Sequence, residues 1–360
     1  MIGHHQIPEE IAIRVPVDDM CALVENLFRT LGLSEQDARA SADVLLYADV
    51  RGIDSHGVSN MMPYYVKWLR EGFANPEPKV EVVRDAPAAA TLDGDRGLGL
   101  AVGLQAMKLA IEKAAIAGVG SVVVANSRHC GAAAYYAHMA LGHDMIGVAM
   151  TIGGSVMLPT FGAEPRVGSN PIAFAAPTCD EPPFVFDAAT TSVAVNRIFL
   201  AQRLGAEVPP GWIARPDGTP VMEAGPVPDK FLMLPMGGTR ENGSHKGYGL
   251  AVMVDILSGL LGGSPAGFRR ARYDVSHHFL AYRIDAFTDP EAFKGEMDIY
   301  MKGLRETPPA EGYERVFYAG LPEHEMGRDR RARGIPYHPE VVAWFRRTAA
   351  EFGVDHPLGD

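Results

Sequence analysis

Apolar residues recur every three or four positions near both ends of the chain, which is the spacing of an amphipathic helix. This pattern predicts helices over residues 18–33, 35–52, about 60–72 and 338–353. Ser34 precedes the second of these, and Asp37 follows three positions later, so the pair resembles a capping box with Asp in place of Glu or Gln. Residues 1–75 and 325–360 are therefore predicted to form a helical part.

The middle of the chain mixes short apolar runs with helical segments, which is typical of an α/β protein. Strands are predicted over residues 88–94, 122–126, 146–150, 184–186 and 279–284. Helices are predicted up to about residue 117, from 132 to about 142, over 247–262 and over 289–305. A stretch rich in Pro and Gly, residues 204–230, is expected to form a surface excursion.

Composition narrows the class of protein. A chain of 360 residues with 47% hydrophobic and 21% charged residues is typical of a soluble globular protein with two or three subdomains. The net charge of −11 argues against a nucleic-acid partner, because no wide cationic face is available. No apolar run reaches the roughly 20 residues of a membrane span, and no secretory signal precedes the first helix. Cys21, Cys130 and Cys179 are far apart and suit a reducing cytoplasm.

Residues 97–103, Gly-Leu-Gly-Leu-Ala-Val-Gly, nearly match the glycine fingerprint of a classical dinucleotide-binding unit. They follow a predicted strand and open a predicted helix. However, the third glycine comes one position late, and the next strand ends in Asn126 where an acidic residue would bind the ribose. The glycines are therefore interpreted as sites of close helix packing, and a classical Rossmann fold is not expected.

A second glycine-rich segment, residues 243–263, carries candidate binding groups. Its turn leads His245 and Lys246 directly into a helix, while Gly247 and Gly249 allow a close approach of backbone. Unpaired N–H groups at a helix N-terminus and a nearby cation together suit an anion such as phosphate or carboxylate. The alternative is a buried helix with a glycine-rich entry, which does not account for the His-Lys pair.

Three histidines lie on predicted turns beside glycines: His56, His129 and His245. An imidazole with its ordinary pKa of about 6.5 suits proton transfer near neutral pH. Asp187 ends a predicted strand and is either a carboxylate that orients a histidine or the N-cap of the turn that follows it. Zinc ligation by His56, His129 and Asp187 has no support in their spacing, so no metal is expected.

Five segments together resemble the type 2 malate/L-lactate dehydrogenase family, which includes ureidoglycolate dehydrogenases, diketogulonate reductases and piperideine-2-carboxylate reductases. They occur in the family's order and read Asp-Val-Arg-Gly-Ile-Asp-Ser-His-Gly (49–57), Asn-Ser-Arg-His-Cys-Gly (126–131), Gly-Ser-Asn-Pro (168–171), Asp-Ala-Ala-Thr-Thr (187–191) and His-Lys-Gly-Tyr-Gly (245–249). The resemblance extends from about residue 18 to 353.

The resemblance implies a non-Rossmann α/β fold, in which helical N- and C-terminal parts pack with a central mixed-sheet domain that binds the cofactor. Residues 76–120 would form a connecting segment on the substrate side, and 121–324 the NAD(P)-binding and catalytic region. The implied activity is hydride transfer between NAD or NADP and the carbon next to a carboxylate. The implied assembly is a homodimer with active sites near the subunit interface, and the composition already favours a cytoplasmic enzyme.

Carried over position by position, the resemblance gives His56 the role of proton donor and His129 that of a second catalytic histidine. The implied catalytic group is Ser55, His56, His129 and Asp187. The implied cofactor-binding residues are Phe184, Val185, Phe186, Asp187, Ala188, Ala189, His245, Lys246, Gly247 and Gly320. Hydride transfer to a 2-oxo acid leaves an alkoxide that needs a proton within about 3 Å, which an imidazolium supplies.

Asn60, Arg128 and Asn170 are the expected substrate-binding residues. The family usually has Arg at the position of Asn60, and an amide cannot replace its charge or its bidentate geometry. Arg128 is the candidate to compensate. The substrate therefore stays open between a 2-oxo or 2-hydroxy acid and a cyclic or N-alkyl 2-imino acid. Further alternatives are a metal-dependent hydrolase or lyase, and a cofactor-binding sensor without activity.

Overall fold

The computed structural model describes residues 7–271 and 273–358. Its α-helices are α1 (Val17–Thr30), α2 (Glu35–Val50), α3 (Val58–Arg70), α4 (Gly99–Ala117), α5 (Ala133–Met139), α6 (Val195–Leu204), α7 (Ser244–Val254), α8 (Pro290–Arg305), α9 (Leu321–Arg333) and α10 (Pro339–Phe352). Its strands are β1 (Ile13–Val15), β2 (Glu81–Ala86), β3 (Ala89–Asp93), β4 (Val119–Ser127), β5 (Met145–Ile152), β6 (Ile172–Ala176), β7 (Phe184–Ala188), β8 (Ile213–Ala214), β9 (Leu232–Met233), β10 (Val275–Arg283) and β11 (Ile335–Tyr337).

A seven-stranded mixed sheet with the order β2-β3-β4-β10-β5-β6-β7 forms the centre of the molecule. Only β3 and β4 pair in parallel, with α4 as the crossover between them, and the other neighbours are antiparallel. This order differs from the all-parallel classical dinucleotide-binding sheet. The mixed-sheet, non-Rossmann fold predicted from the sequence is therefore confirmed.

Glycines allow helices to lie directly on this sheet. A Cβ at Gly120 of β4 would overlap the carbonyl of Ala110 in α4, and one at Gly147 of β5 would overlap the carbonyl of Ala137 in α5. Within α4, a Cβ at Gly103 would lie 2.8 Å from the ring of Tyr136. The near-fingerprint glycines thus include a helix-packing site, as their interpretation predicted.

The helical part joins both ends of the chain. Helix α1 packs on α2 and α10, and β1 pairs with β11 in an antiparallel two-stranded sheet. Phe28, Tyr65 and Phe345 are among the fully buried side chains of its core. The backbone N–H of Asp37 donates to the hydroxyl of Ser34 at 3.1 Å, so the predicted cap of α2 is confirmed.

Several sequence predictions need correction. Helix α7 begins earlier than predicted and ends at Val254, where a π-turn over Asp255–Gly259 interrupts the expected helix. The strand predicted over 279–284 begins earlier, at Val275, so His277 and His278 lie inside β10 and are buried. Helix α9 and strand β2 were not predicted. The helix has a charged sequence without an apolar stripe, and the strand is exposed and has no apolar face. Across the described ranges, no helix is long and apolar enough to cross a membrane.

Candidate active site

The turn that carries His56 is built on a buried carboxyl. The backbone N–H of Val58 donates to Asp49 Oδ2 at 3.1 Å, and the Tyr337 hydroxyl donates to the same oxygen at 2.8 Å. A Cβ at Gly57 would overlap the Asp49 side chain, so only glycine fits after the histidine. Burial raises the pKa of Asp49 to about 7, with a further contribution from nearby Asp54.

An ion pair closes the other side of this turn. Arg330 of α9 is almost fully buried and bonds Asp54 Oδ1 at 2.6 Å, while the same guanidinium donates to the carbonyl of Asp49. Helix α9 therefore holds the residues on both sides of the turn between α2 and α3. His56 is positioned by the helical part of the fold, as its place in the sequence between two predicted helices suggested.

His129 lies on the loop between β4 and α5, and its Nδ1 has two partners. The Tyr65 hydroxyl lies 2.7 Å from Nδ1, and the backbone N–H of Gly131 donates to it at 3.2 Å. Tyr65 is a fully buried residue of α3, two turns after the start of that helix. One helix thus contacts both histidine loops.

The two imidazoles are stacked. The ring centroids of His56 and His129 are 5.7 Å apart with an angle of 17° between the planes, and His56 Nδ1 lies 2.9 Å from the hydroxyl of Ser55. Desolvation lowers the pKa of His56 to about 4 and that of His129 to about 3, with His56 and His277 adding to the latter shift. Both rings are therefore neutral near pH 7, contrary to the expectation of an ordinary imidazole pKa.

Arg128 is engaged within the protein. Its guanidinium donates to the carbonyl of Phe73 at 2.6 Å and to that of Ser127 at 2.7 Å, and it pairs with Asp274 at 3.3 Å. The side chain is buried. These contacts fix the strand end just before His129, so the predicted compensation for a missing substrate-binding arginine is not supported by the arrangement.

Asn60 and Asn170 also use their amides inside the protein. Asn60 donates to the carbonyl of Asp54 at 2.7 Å and lines a cavity of about 10 Å³ together with Arg203. Asn170, which has a φ of +31° and is fully buried, donates to the carbonyl of Ala251 in α7 at 2.9 Å. A cavity of that size has room for about one water molecule.

Asp187 caps a helix other than the one predicted. Its Oδ2 accepts the backbone N–H of Ala134 at 2.8 Å, at the start of α5, whereas the sequence suggested the turn after Asp187 itself. Burial raises its pKa to about 6, against the opposing effect of the hydrogen bond from Ala134. The carboxylate thus joins β7 to the segment that follows His129.

Two of the expected cofactor segments are adjacent. The backbone N–H of Val185 donates to the carbonyl of Ala319 at 3.1 Å, and a Cβ at Gly320 would lie 2.8 Å from the nitrogen of Val185. Gly320 has a φ of +94° and immediately precedes α9. Strand β7 and the 318–320 segment therefore form one continuous backbone surface.

The third expected cofactor segment lies at the start of α7. His245 and Lys246 are exposed there, after Gly243 with its left-handed φ of +91°. A Cβ at Gly247 would lie 2.6 Å from the carbonyl of Met236, whereas Gly249 faces open space. The predicted close approach of backbone thus holds for Gly247 but not for Gly249.

Comparison with known proteins identifies the family of this chain. A model of the family described as malate/L-lactate dehydrogenase matches residues 15–346. The chain belongs to this family. It is 39% identical to a malate dehydrogenase from Pyrococcus abyssi over 352 residues, which cover 96% of this chain and 97% of that protein. It is 37% identical to an L-sulfolactate dehydrogenase from Methanocaldococcus jannaschii, covering 92% and 95%.

A solved structure of another malate dehydrogenase has the same fold as this chain. The malate dehydrogenase from Pyrococcus horikoshii OT3 superposes with a TM-score of 0.90 at 35% identity, covering 98% of this chain and 99% of that one. Membership of the malate/L-lactate dehydrogenase family makes the protein an oxidoreductase. The metal-dependent hydrolase or lyase considered from the sequence has no support in these matches. Among residues 7–271 and 273–358, no three His, Cys, Asp or Glu side chains form a group that could hold a metal ion.

Sequence reasoning did not assign a role in the candidate site to Tyr65, Gly131 or Asn196. The amide of Asn196 in α6 donates to the carbonyl of Ser55 at 2.8 Å, so α6 also supports the His56 turn. Tyr65 has the spacing of a core residue in an amphipathic helix, and nothing in the local pattern marks its hydroxyl as a partner of His129. Its contact spans 64 positions of sequence.

Proposed function

We propose that this protein is an NAD(P)-dependent dehydrogenase of small 2-hydroxy acids, with His56 as the residue that transfers the hydroxyl proton. The stacked pair of His56 and His129 is the observation that carries the proposal. Both rings use Nδ1 in contacts within the protein and are partly exposed. Within the described part of the chain, no hydrogen-bond partner occupies the Nε2 of either ring, so both are available to a substrate oxygen.

In the proposed reaction, the protein's own residues take up and release one proton. When bound, a nicotinamide cofactor supplies the acceptor or donor of the hydride at C2. As the hydroxy acid is oxidised, the C2–H bond breaks and its electron pair leaves as hydride, while the hydroxyl proton passes to Nε2 of His56. In the reducing direction, the protonated His56 returns that proton to the oxygen of the 2-oxo acid.

Two features suit His56 to this exchange. The Ser55 hydroxyl is able to donate to an unprotonated Nδ1 or to accept from a protonated one, so it serves both states of the ring. The lowered pKa of His56 leaves the ring neutral near pH 7, as a base for oxidation must be. The carboxylate of a bound substrate raises the pKa of a neighbouring imidazole, which favours proton uptake during turnover.

The proposed cofactor surface is the backbone formed by β7 and residues 318–320. Glycine at position 320 lets these two segments pack directly together, since a Cβ there would lie 2.8 Å from the nitrogen of Val185. Lys246 and the first N–H groups of α7 supply a cation and donors of the kind that bind phosphate. We therefore assign cofactor binding to Phe184–Ala189, His245–Gly247 and Gly320, within the region 121–324.

A homodimer completes the proposal. Helix α7 and the turns after it expose a row of apolar side chains, namely Leu250, Met253, Ile256, Leu260 and Leu261. Their spacing of three or four positions places most of them along one side of this segment, and such apolar surfaces mark protein contacts. A second copy is the proposed occupant. Cys21, Cys130 and Cys179 are free thiols, which fits a cytoplasmic location.

The test is nicotinamide absorbance with NADH and NADPH in parallel, against a panel of 2-oxo acids that includes oxaloacetate, pyruvate and sulfopyruvate. Each acid is run with and without methylamine, and a cyclic imine is added as a separate substrate. Oxidation of the cofactor without amine is expected. Turnover only with amine or with the cyclic imine would assign the protein to imine reduction. No oxidation of either cofactor with any compound of the panel would refute catalysis of this class.

A further inference from the structure

We infer that His129 acts as a neutral hydrogen-bond donor to the substrate oxygen, not as a second proton-transfer base, and that Tyr65 is the positioning residue that holds it in this form. The inference rests on the proposed function and divides the work of that site between its two histidines. It follows from which atoms donate and which accept around each ring.

Gly131 fixes the tautomer of His129. A backbone N–H is always a donor, so the 3.2 Å contact from Gly131 requires an unprotonated Nδ1. The Tyr65 hydroxyl, 2.7 Å from the same nitrogen, must then donate as well. With Nδ1 accepting, the neutral ring carries its proton on Nε2. In this state His129 is able to donate a hydrogen bond from Nε2 but has no free lone pair to take a proton.

His56 has no such constraint. Its Nδ1 faces the Ser55 hydroxyl, which rotates to donate or accept as the ring requires. His56 therefore reaches both neutral tautomers and the imidazolium without losing a hydrogen bond. His129 would have to turn two donors away from Nδ1 to become charged.

Neighbouring groups reinforce this difference. His56 stacks on His129, and His277 of β10 is also near enough to lower its pKa, so a charge on either ring disfavours one on His129. Cys130 is buried beside it with a raised pKa of about 12 and supplies no negative charge. Burial also raises the pKa of Tyr65 well above its ordinary value, which keeps the hydroxyl protonated as a donor.

The geometry of Tyr65 explains how the tautomer is held. The side chain is fully buried, and its ring packs against Phe28 and edge-on to Trp68, with centroids 6.2 and 5.8 Å away. These contacts fix the position of the hydroxyl. A neutral imidazole that polarises a carbonyl through N–H is an established way to stabilise developing negative charge without transferring a proton.

The test is ring-nitrogen NMR of the full-length protein labelled with ¹⁵N-histidine, with His129 assigned by its loss in His129→Gln. The expected spectrum at pH 7 shows an unprotonated Nδ1 and a protonated Nε2 for His129, and the same pattern persists at pH 5. A proton on Nδ1, or a charged ring at pH 7, would overturn the inference. This readout does not need a substrate, so it stays decisive even if the panel of oxo acids fails.

Two tyrosine variants separate positioning from stability. Tyr65→Phe removes one donor to the neutral ring and is expected to raise the pKa of His129 by about one. Tyr136→Phe is the matched control, because its buried hydroxyl donates to the carbonyl of Cys130 at 2.7 Å in the same loop but does not touch the imidazole. Equal titration of His129 in both variants would contradict the role of Tyr65.

Turnover gives an independent check once a substrate is known. His129→Gln retains an amide N–H and is expected to exceed His129→Ala by about 10-fold in kcat, since a donor to developing charge survives. If His129 were the base, both variants would be equally inactive, and the inference would fail.

Discussion

Gly57 lies directly against the carboxyl group of Asp49, with no space for a single added methyl group between them. The contact joins the residue after His56 to the last turn of α2. Because Asp49 also accepts hydrogen bonds from Val58 and Tyr337, the carboxyl is a fixed point on which the whole turn is built. The position of His56, the proposed proton-transfer residue, therefore depends on a buried group elsewhere in the turn.

Gly57→Ala is expected to lower the free energy of unfolding by about 3 kcal/mol, because Asp49 is enclosed and has little room to move. Urea unfolding followed by circular dichroism measures the change. Gly303→Ala in α8 is the control, since a Cβ there meets nothing within 4 Å and alanine favours a helix by about 0.5–1 kcal/mol. Equal stability of the two variants would show that the turn relaxes freely.

Asp49 should also make stability depend on pH. Its pKa rises from an ordinary 3.8 to about 7 on folding, so the folded state favours the protonated carboxyl. The resulting stabilisation is present below about pH 4 and is lost as pH rises through 7, with an upper value of about 4 kcal/mol. Asp187, with a pKa of about 6, changes in the same direction.

Asp49→Asn removes the titration and keeps an oxygen that accepts from Val58 and Tyr337. Urea unfolding from pH 4 to 8 is expected to give a flatter profile in this variant than in the wild type, with the part due to Asp187 remaining. Identical profiles would mean that Asp49 keeps the same protonation state in the folded and unfolded chains.

His56→Ala is expected to lower kcat by about 10²- to 10⁴-fold, the usual contribution of a general acid or base. Cofactor affinity, measured by quenching of protein fluorescence, should remain because the proposed cofactor segments lie elsewhere. Ser55→Ala is the milder comparison, since the ring keeps its Nε2, and a loss of about 3- to 10-fold is expected. Near-normal turnover in His56→Ala would assign the proton to another group.

Asn60→Arg restores the residue that the family usually has at this position. The buried amide of Asn60 is already bonded to the carbonyl of Asp54, so a guanidinium would have to displace packed neighbours. The variant is expected to lose about 1–3 kcal/mol of stability without lowering the KM for simple 2-oxo acids. A clear fall in KM at unchanged stability would show that this position faces the substrate.

Leu260→Glu on the exposed apolar row after α7 tests the assembly. A charge buried in a subunit contact is costly, so the variant is expected to shift the protein from dimer to monomer in sedimentation analysis. Ile116→Glu is the control, because Ile116 is 85% exposed at the end of α4, outside that row. A wild-type protein that is monomeric at micromolar concentration would refute the proposed dimer.

Sequence reasoning succeeded where local signals decide the outcome. The Ser34 cap, the start of α1, the end of α4 and the placement of His56 and His129 on loops all follow from periodicity and from glycines nearby. The end of α1 does not, since this helix ends at Thr30 and not at residue 33. Sequence reasoning was misleading where distant segments meet. The hydrogen bond of Asp187 to α5, the contacts of Arg128 with Phe73, and the Tyr65 hydroxyl all join residues more than 50 positions apart.

The pKa values of buried groups were the other property that the sequence did not predict. The sequence assigns each histidine its ordinary pKa, but burial determines the shift, and burial is a property of the packed molecule. The same holds for Asp49, which reads as one polar residue near the end of a predicted helix. Its raised pKa arises from the residues around it, including Asp54.

Helix α3 begins at Val58, two residues after His56, and carries Tyr65 two turns later, so one helix follows the first histidine and contacts the second. Because the turn of His56 leads into this helix and Tyr65 contacts His129, a substitution that shifts α3 is expected to disturb both imidazoles. The alignment of the stacked rings is therefore sensitive to changes along α3 that touch neither ring.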